Sequence, residues 1–190
     1  MSTSESVRPQ KYQNHENISS WRSFINLYIQ TQSISGQFCE PLYMNSKKSV
    51  TVYTDGACSN NGGENAKAGI GVFWPTNESN NFRGTFEGRQ TNQRAEIRAA
   101  LFAINQAKKQ GYTDVTIKTD SNYLKNAVES WMPKWMEEGW SRRVINKSDF
   151  RELSDSISGV DVKFEKVPAN ANAAHKLAQE AAKLCRRIIR

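Results

Sequence analysis

Three acidic residues of this chain occur in local patterns that can bring their carboxylates together. Asp55 lies in the strand-like run 50–55, and Asp120 closes a second such run at 115–120. Glu96 lies on the alanine-rich stripe of a predicted helix. A carboxylate directed into a fold is costly unless it is paired or binds a metal, and converging carboxylates hold divalent cations in a way that suits phosphoryl chemistry. Taken one at a time, each acid also fits a surface or helix-capping role.

The spacing of apolar residues predicts the elements that carry these acids. Three segments joined by short links predict antiparallel strands at 50–56, 68–74 and 82–89. Glycines alternate with bulky residues in the second, which permits close backbone approach. Helices are predicted at 92–109, from Ser121, at 131–137, from Ser148 and at 173–188, and strands at 114–119 and 160–167. This order predicts an α/β fold with a five-stranded mixed sheet, three antiparallel strands and then two parallel ones, flanked by helices.

Composition restricts the class of protein. The 190 residues have room for one domain with some chain left over, and the net charge of +7 favours a polyanionic partner such as a nucleic acid. No run of about 18 apolar residues occurs, so no membrane-spanning segment is expected. The first residues contain no apolar core segment, which argues against a secretory signal.

The cysteines indicate a reducing environment. Cys39, Cys58 and Cys185 are far apart, with no CxxC pair, so neither a disulfide framework nor a structural zinc site is supported. We expect reduced thiols in an intracellular protein, without distinguishing cytoplasm, nucleus and mitochondrion.

Residues 1–48 differ from the rest of the chain. They are rich in Ser, Asn and Gln, and helical spacing occurs only where Trp21, Phe24 and Tyr28 follow a possible capping serine. A short helix at 20–30 and an unstructured polar tail both fit this composition. We predict a polar N-terminal extension over 1–48 and one folded domain over 49–190.

Four segments together resemble the catalytic domain of ribonuclease H of the eukaryotic type 1 kind. They are Tyr-Thr-Asp-Gly-Ala-Cys-Ser-Asn-Asn-Gly at 53–62, Ala-Gly-Ile-Gly-Val at 68–72, Gly-Arg-Gln-Thr-Asn-Gln-Arg-Ala-Glu at 88–96 and Thr-Asp-Ser at 119–121. The resemblance covers about 50–186, in the family's order. It implies an endonuclease that hydrolyses the RNA strand of RNA–DNA hybrids and leaves a 5′-phosphate and a 3′-hydroxyl. It also implies two Mg²⁺ ions between the acids.

The resemblance assigns roles to individual residues. It implies that Asp55 contacts both metal ions, that Glu96 holds one and helps to place the RNA 2′-hydroxyl, and that Asp120 holds the other side. It further implies that the amides of Asn61, Asn92 and Gln93 contact the minor groove and the RNA sugars. Turn formation by Asn61 and helix capping by Asn92 are compatible with those roles.

The DNA strand of the hybrid would be bound by a second set of residues. The resemblance implies a phosphate pocket made by Arg89, Thr91 and Asn146. It also implies an aromatic channel for deoxyribose made by Tyr123, Trp131 and Trp135. The two tryptophans are four residues apart and share one helix face, which without the resemblance is more typical of a core. Lys134, Arg142 and Arg143 would add phosphate contacts that carry no sequence information.

The chain departs from the family pattern near its end. The fourth aspartate of the family is replaced by His175, the mobile histidine by Asn170, and the intervening loop is shorter. Histidine is a poor ligand for Mg²⁺ and a better one for Mn²⁺, so we predict slow cleavage with a preference for Mn²⁺. An exposed His175 without a role remains the alternative. Glu137 and Glu138, where relatives often carry lysines, predict weaker affinity for the hybrid.

Two other functions remain compatible with the sequence. A catalytically weak or silent module that binds RNA–DNA hybrids would keep the amides and tryptophans while losing turnover. A nuclease unit of a retroelement polyprotein would share the same residues. The basic and aromatic pattern of the family's separate hybrid-binding domain is not evident in 1–48, and we expect a monomer.

Overall fold

The computed structural model describes residues 47–140 and 143–184. The strands are β1 (Ser49–Ser59), β2 (Lys67–Phe73), β3 (Phe82–Gly84), β4 (Asp114–Thr119) and β5 (Asp161–Lys166). The helices are α1 (Asn92–Lys109), α2 (Asn122–Asn126), α3 (Met132–Glu137), α4 (Lys147–Ile157) and α5 (His175–Leu184), with a π turn at Ala127–Trp131 and 3₁₀ turns at Glu78–Asn80 and Ala169–Ala171. The predicted helix at 20–30, Arg142 and the last residues of the predicted closing helix lie outside the described residues.

The five strands form one sheet in the order β3-β2-β1-β4-β5. β2 is antiparallel to both β1 and β3, while β1, β4 and β5 run parallel. The predicted mixed sheet is therefore confirmed, including the change from antiparallel to parallel pairing. Each parallel connection contains helix, as a crossover between parallel strands requires.

The main core lies between one face of the sheet and the helices α1 and α4. Alternate residues of β1 and β4, including Val52 and Ile117, are fully buried there. They pack with Ile104 of α1 and with Phe150 and Leu153 of α4. Because alternate strand residues face opposite sides, the other face is left for α5, which packs on β1 and β2. Within the described residues, no helix is both long and apolar enough to cross a membrane.

Glycines set the distance between the sheet and the two helices that border the site. A Cβ atom built on Gly56 would lie 2.3 Å from the backbone nitrogen of Glu96. On the opposite face, a Cβ on Gly69 would lie 2.3 Å from the nitrogen of Ala182, and one on Gly71 would lie 2.5 Å from the carbonyl oxygen of Ala174. Side chains at these positions would displace backbone, so the alternation of glycine in β2 does permit close approach, as predicted.

The predicted third strand, 82–89, is wrong beyond Gly84, where β3 ends. The chain then turns, with Gly88 at φ +85°, a conformation that side-chain-bearing residues rarely adopt. The side chain of Gln90 replaces the missing strand partner, because its Oε1 accepts the N–H of Ala68 at 3.0 Å. A side-chain amide therefore satisfies a backbone group that the prediction paired with another strand.

Helical turns run continuously from α2 to the end of α3, where the sequence predicted a separate helix at 131–137. The N–H of Met132 bonds to the carbonyl of Ala127, five residues back, which defines the π turn. Pro133 follows in the first turn of α3 and has no N–H, so the α-helical bond to Glu129 cannot form. The change in helical register follows from this proline.

Candidate active site

Two carboxylates and one imidazole converge where β4 ends beside the middle of β1. One ligand atom from each of Asp55, Asp120 and His175 lies within 4.8 Å of the other two. The strand register explains how the two acids meet: Tyr53 of β1 pairs with Lys118 of β4, and each acid lies two residues further along its chain. His175 is the first residue of α5, which crosses this part of the sheet.

His175 is held from both sides of its ring. Its Nδ1 lies 2.6 Å from Oδ2 of Asp55, and its Nε2 lies 2.9 Å from the amide nitrogen of Gln179, one helical turn further on. An amide nitrogen can only donate, so Nε2 accepts and Nδ1 carries the hydrogen that it donates to Asp55. The His175 side chain is 45% exposed and contacts Asp55 directly, so it lies beside the predicted site, and its role there stays a prediction.

Glu96 of α1 is a buried acid without a hydrogen-bond partner on one oxygen. It is 5% exposed, and its Oε2 has no partner. Burial raises the pKa of Glu96 to about 9, and the charges of Asp55 and Asp120 add to this rise. A backbone hydrogen bond from Gly56 and the charge of Lys166 oppose it only in part. Glu96 is not one of the three residues within the 4.8 Å limit, but it shares their electrostatic field.

Burial and neighbouring negative charge also raise the pKa of Asp55, but by less than they raise that of Glu96. The pKa of Asp55 rises to about 6, chiefly because of burial and then because of the nearby Asp120, while the hydrogen bond from His175 lowers it. A positive charge among these groups would relieve both acids. Carboxylate oxygens, one imidazole nitrogen and an unpartnered buried oxygen are a donor set that fits a divalent cation.

Sequence reasoning missed Asn172, which is 5% exposed beside the site. Its amide nitrogen donates to Oδ1 of Asp120 and to the carbonyl of Thr54, both at 3.0 Å. Its own Oδ1 accepts the N–H of Ala174 at 3.1 Å. The only signal in the sequence was an asparagine directly before the predicted helix 173–188, and such a residue ordinarily caps the helix.

The sequence of this region matches a known family. A family model described as RNase H matches residues 47–187, most of the chain. The chain belongs to the ribonuclease H family. The suspected resemblance is thereby confirmed, and with it the mixed sheet and flanking helices as this family's architecture.

Individual relatives support the same assignment. Ribonuclease H1 of Rattus norvegicus is 43% identical over 145 residues, which make up 72% of this chain and 51% of that protein. Ribonuclease H of Prosthecochloris aestuarii is 33% identical over 147 residues, 72% of this chain and 97% of that protein. Among solved structures, LC9-RNase H1, a type 1 RNase H with the type 2 active-site motif, aligns with a TM-score of 0.58 at 27% identity and covers 72% of this chain and 73% of that one. The chain thus spans about half the length of the rat relative.

The ribonuclease H residues predicted to contact RNA lie next to one another. Oδ1 of Asn61, in the turn after β1, accepts the backbone N–H of Asn92 at 3.2 Å, where α1 begins. Thr91 is the N-cap of that helix, and its hydroxyl accepts the N–H of Arg94. Gln93 is exposed in the first turn. Asn61 therefore contacts the start of α1, whereas the helix is capped by Thr91 and not by Asn92.

The predicted aromatic channel is a cluster with one exposed member. Tyr123 lies 5.7 Å from Trp131, and Trp131 lies 6.0 Å from Trp135, measured between ring centres. Trp135 packs 5.2 Å from Phe150 of the main core, whereas Trp131 is 37% exposed. Trp135 thus packs on the core, as the pattern of a core helix suggests, whereas Trp131 faces solvent, where it could contact a ligand.

The three residues of the predicted phosphate pocket come from two segments, one before α1 and one before α4. Arg89 is exposed in the turn before α1, Thr91 caps α1, and Asn146 precedes α4 with φ +57° and donates to the Tyr123 hydroxyl at 3.3 Å. Arg94 ties the first segment to the last. It donates to the carbonyl of Arg89 at 2.8 Å and to the buried carboxylate of Asp149 in α4 at 2.8 Å.

Within the described residues, the charged side chains that the sequence analysis singled out near α3 lie on the surface. Lys134, Glu137, Glu138 and Arg143 are all exposed. Glu137 and Glu138 therefore lie on the surface. Their effect on affinity for a nucleic acid stays a prediction.

Proposed function

We propose that this chain is an endonuclease that hydrolyses the RNA strand of RNA–DNA hybrids. The observation that carries the proposal is the convergence of Asp55, Asp120 and His175 beside the buried, unpartnered Glu96 in a chain of the ribonuclease H family. Buried acids of like charge destabilise a fold unless something compensates them. A catalytic cation site is the explanation that accounts for all four residues together.

The same four side chains would hold divalent cations. Such ions supply a polarised water nucleophile and charge stabilisation at a phosphodiester. Asp55 and Asp120 provide carboxylate oxygens, and Glu96 provides the oxygen that lacks a partner. His175 provides an imidazole nitrogen, which is a poorer ligand for Mg²⁺ than for Mn²⁺ because Mg²⁺ prefers oxygen. We therefore propose Mg²⁺ as a cofactor and Mn²⁺ as the preferred substitute.

The surface beside these acids has the chemistry that a hybrid requires. Asn61, Asn92 and Gln93 supply amides and a helix start for the RNA sugars. The exposed Trp131 supplies a flat apolar surface for deoxyribose. Arg89, Thr91 and Asn146 would bind a DNA phosphate. In this proposal the catalytic domain comprises residues 49–190, residues 1–48 form a polar extension, and the enzyme works as an intracellular monomer.

A silent hybrid-binding module is the competing function. The hydrogen bond from His175 to Asp55 favours it, because a donor now occupies part of the position where a cation would bind. The three remaining acids favour the nuclease, since a module that only binds a polyanion gains nothing from buried carboxylates.

A cleavage assay separates the two functions. We expect an end-labelled RNA–DNA hybrid to be cut in its RNA strand, faster in Mn²⁺ than in Mg²⁺, to leave 5′-phosphate and 3′-hydroxyl ends. Duplex DNA and duplex RNA serve as substrate controls. Asp55→Asn should lose cleavage but keep hybrid binding, because it removes a metal-facing charge and little volume. Hybrid binding by the unaltered chain without product in either metal would leave the binding module as the function.

A further inference from the structure

We infer that Asn172 is a positioning residue that fixes Asp120 and the start of α5 relative to β1. The inference rests on the proposed function, because it concerns the cation site of that function. Asn172 contacts neither a reacting atom nor, by this inference, a cation. It acts on the residues that do.

The orientation of the Asn172 amide is determined by its partners. The carboxylate of Asp120 and the carbonyl of Thr54 can only accept, so both must face the amide nitrogen. The N–H of Ala174 can only donate, so it must face Oδ1. Both amide hydrogens are used, and the residue is 5% exposed, which leaves little freedom to rotate.

Each partner of Asn172 belongs to or adjoins a member of the converging group. Asp120 is itself a member, Thr54 precedes Asp55, and Ala174 precedes His175. Three segments that are distant in sequence, the middle of β1, the end of β4 and the start of α5, are therefore joined through one side chain. A shift of any one segment would stretch a bond of this amide.

The contact matters most for Asp120. Rotation about the terminal torsion of aspartate is broad, so backbone placement alone does not fix its oxygens. Asp120 is half-buried and follows the end of β4. The hydrogen bond from Asn172 fixes one oxygen, and thereby the plane of the carboxylate. Partners of metal-binding side chains typically change metal affinity or activity by about 10–100-fold when they are removed.

Cap formation and positioning can be separated by substitution. Asn172→Ser keeps a short oxygen that can accept the Ala174 N–H, but it cannot donate to Asp120 and Thr54 together. Asn172→Ala removes both functions. Asn170→Ala is the matched control, because Asn170 is an exposed asparagine in the same 3₁₀ turn.

Calorimetric titration of Mn²⁺ into the metal-free proteins is the main measurement. We expect Asn172→Ser and Asn172→Ala to bind Mn²⁺ about 10-fold more weakly, while Asn170→Ala binds as the unaltered chain does. Circular dichroism establishes that each variant is folded. Unchanged Mn²⁺ affinity in a folded Asn172 variant would overturn the inference, whatever happens to the melting temperature.

A measurement on the unaltered chain covers the case in which the variants do not fold. The side-chain amide signals of Asn172 should shift in nitrogen–proton NMR spectra as Mg²⁺ is added, because coordination of Asp120 changes its hydrogen bond. Unmoved signals at saturating Mg²⁺ would also overturn the inference. If the unaltered chain cleaves hybrids and binds metal while these tests fail, the proposed function stands alone. If it binds no metal, both proposals fail.

Discussion

The two sides of the candidate site differ in how tightly the fold holds them. On the β1–α1 side, Asp55 and Glu96 are 2% and 5% exposed, and Gly56 lets the helix backbone touch the strand. On the α5 side, His175 is 45% exposed and depends on side-chain contacts with Asp55 and Gln179. One side is fixed by backbone contact and the other by side-chain hydrogen bonds.

This difference indicates where the sequence can change. A substitution on the buried side alters backbone packing or leaves a charge without solvent, so its effect reaches both stability and the site. A substitution on the exposed side alters mainly the chemistry of one side chain. His175 is such a position, because its ring contacts only the side chains of Asp55 and Gln179 among the hydrogen bonds of the described residues.

The largest effect is expected from a methyl group at the closest approach of the buried side. Gly56→Ala would place a Cβ 2.3 Å from the Glu96 backbone nitrogen and must push α1 away. We expect the free energy of unfolding to fall by about 1–3 kcal/mol. Hybrid cleavage should fall by about 100-fold, since displacement of a catalytic group by about 1 Å has that effect. Urea unfolding and the cleavage assay measure the two losses.

A second strand glycine provides the control for this substitution. A Cβ on Gly84 would meet only the ring of Phe82, a side chain that can move. Gly84→Ala should therefore retain cleavage. Equal loss of cleavage in both variants would mean that the β1–α1 contact has no special part in the site.

The buried side should also make stability depend on pH. Glu96 has its pKa raised from 4.5 to about 9, so between these values the folded chain keeps a proton that the unfolded chain has lost. The free energy of unfolding of the metal-free protein should therefore fall as pH rises toward 9, by up to about 1.4 kcal/mol per pH unit. Glu96→Gln is neutral throughout and should remove most of this slope. Urea unfolding in a chelator between pH 7 and 9 measures it.

The pH range in this experiment lies above the raised pKa of Asp55. That pKa is about 6, so most of the change in stability that Asp55 causes occurs below the range. Glu64→Gln, at an exposed position, tests the general effect of removing an acid. A slope that survives unchanged in Glu96→Gln would contradict the assignment of the buried charge to Glu96.

The smallest expected effect belongs to the exposed side. His175→Asp replaces the nitrogen beside Asp55 with carboxylate oxygens, which Mg²⁺ prefers. We expect the Mg²⁺-dependent cleavage rate to rise several-fold and the preference for Mn²⁺ to shrink. His175→Asn has a similar shape without the charge and should not gain rate. An unchanged or lower Mg²⁺-dependent rate in a folded His175→Asp variant would contradict a role for the side chain at position 175 in cleavage.

The sequence predicted best those parts in which local pattern and tertiary contact agree. The helix 92–109 and the strand 114–119 coincide with α1 and β4, because their apolar periods match the faces that they bury. The convergence of Asp55 and Asp120 was predicted because Asp55 lies in one recognisable strand-like run and Asp120 closes another. The parallel register then brings them together.

The parts that the sequence analysis missed depend on hydrogen bonds made by single side chains. Gln90 ends β3 early by satisfying Ala68, and no periodic pattern records such a bond. Asn172 and Arg94 make their contacts with residues that are distant in sequence, which composition and spacing do not reveal. The predicted polar extension at 1–48 lies almost entirely outside the described residues, and so do residues 185–190, which include the last part of the predicted closing helix. Both stay predictions.

The π turn before α3 has a consequence for the aromatic surface. With 3.6 residues per turn, two positions eight apart, such as Tyr123 and Trp131, differ by about 80° around a regular helix. The wider turn at Ala127–Trp131 advances less per residue, and this lag brings both rings to one side, with their centres 5.7 Å apart. The wider turn thus accommodates one residue as an insertion: without it the two rings would be seven positions apart in a regular helix, about 20° apart around the axis and still on one side.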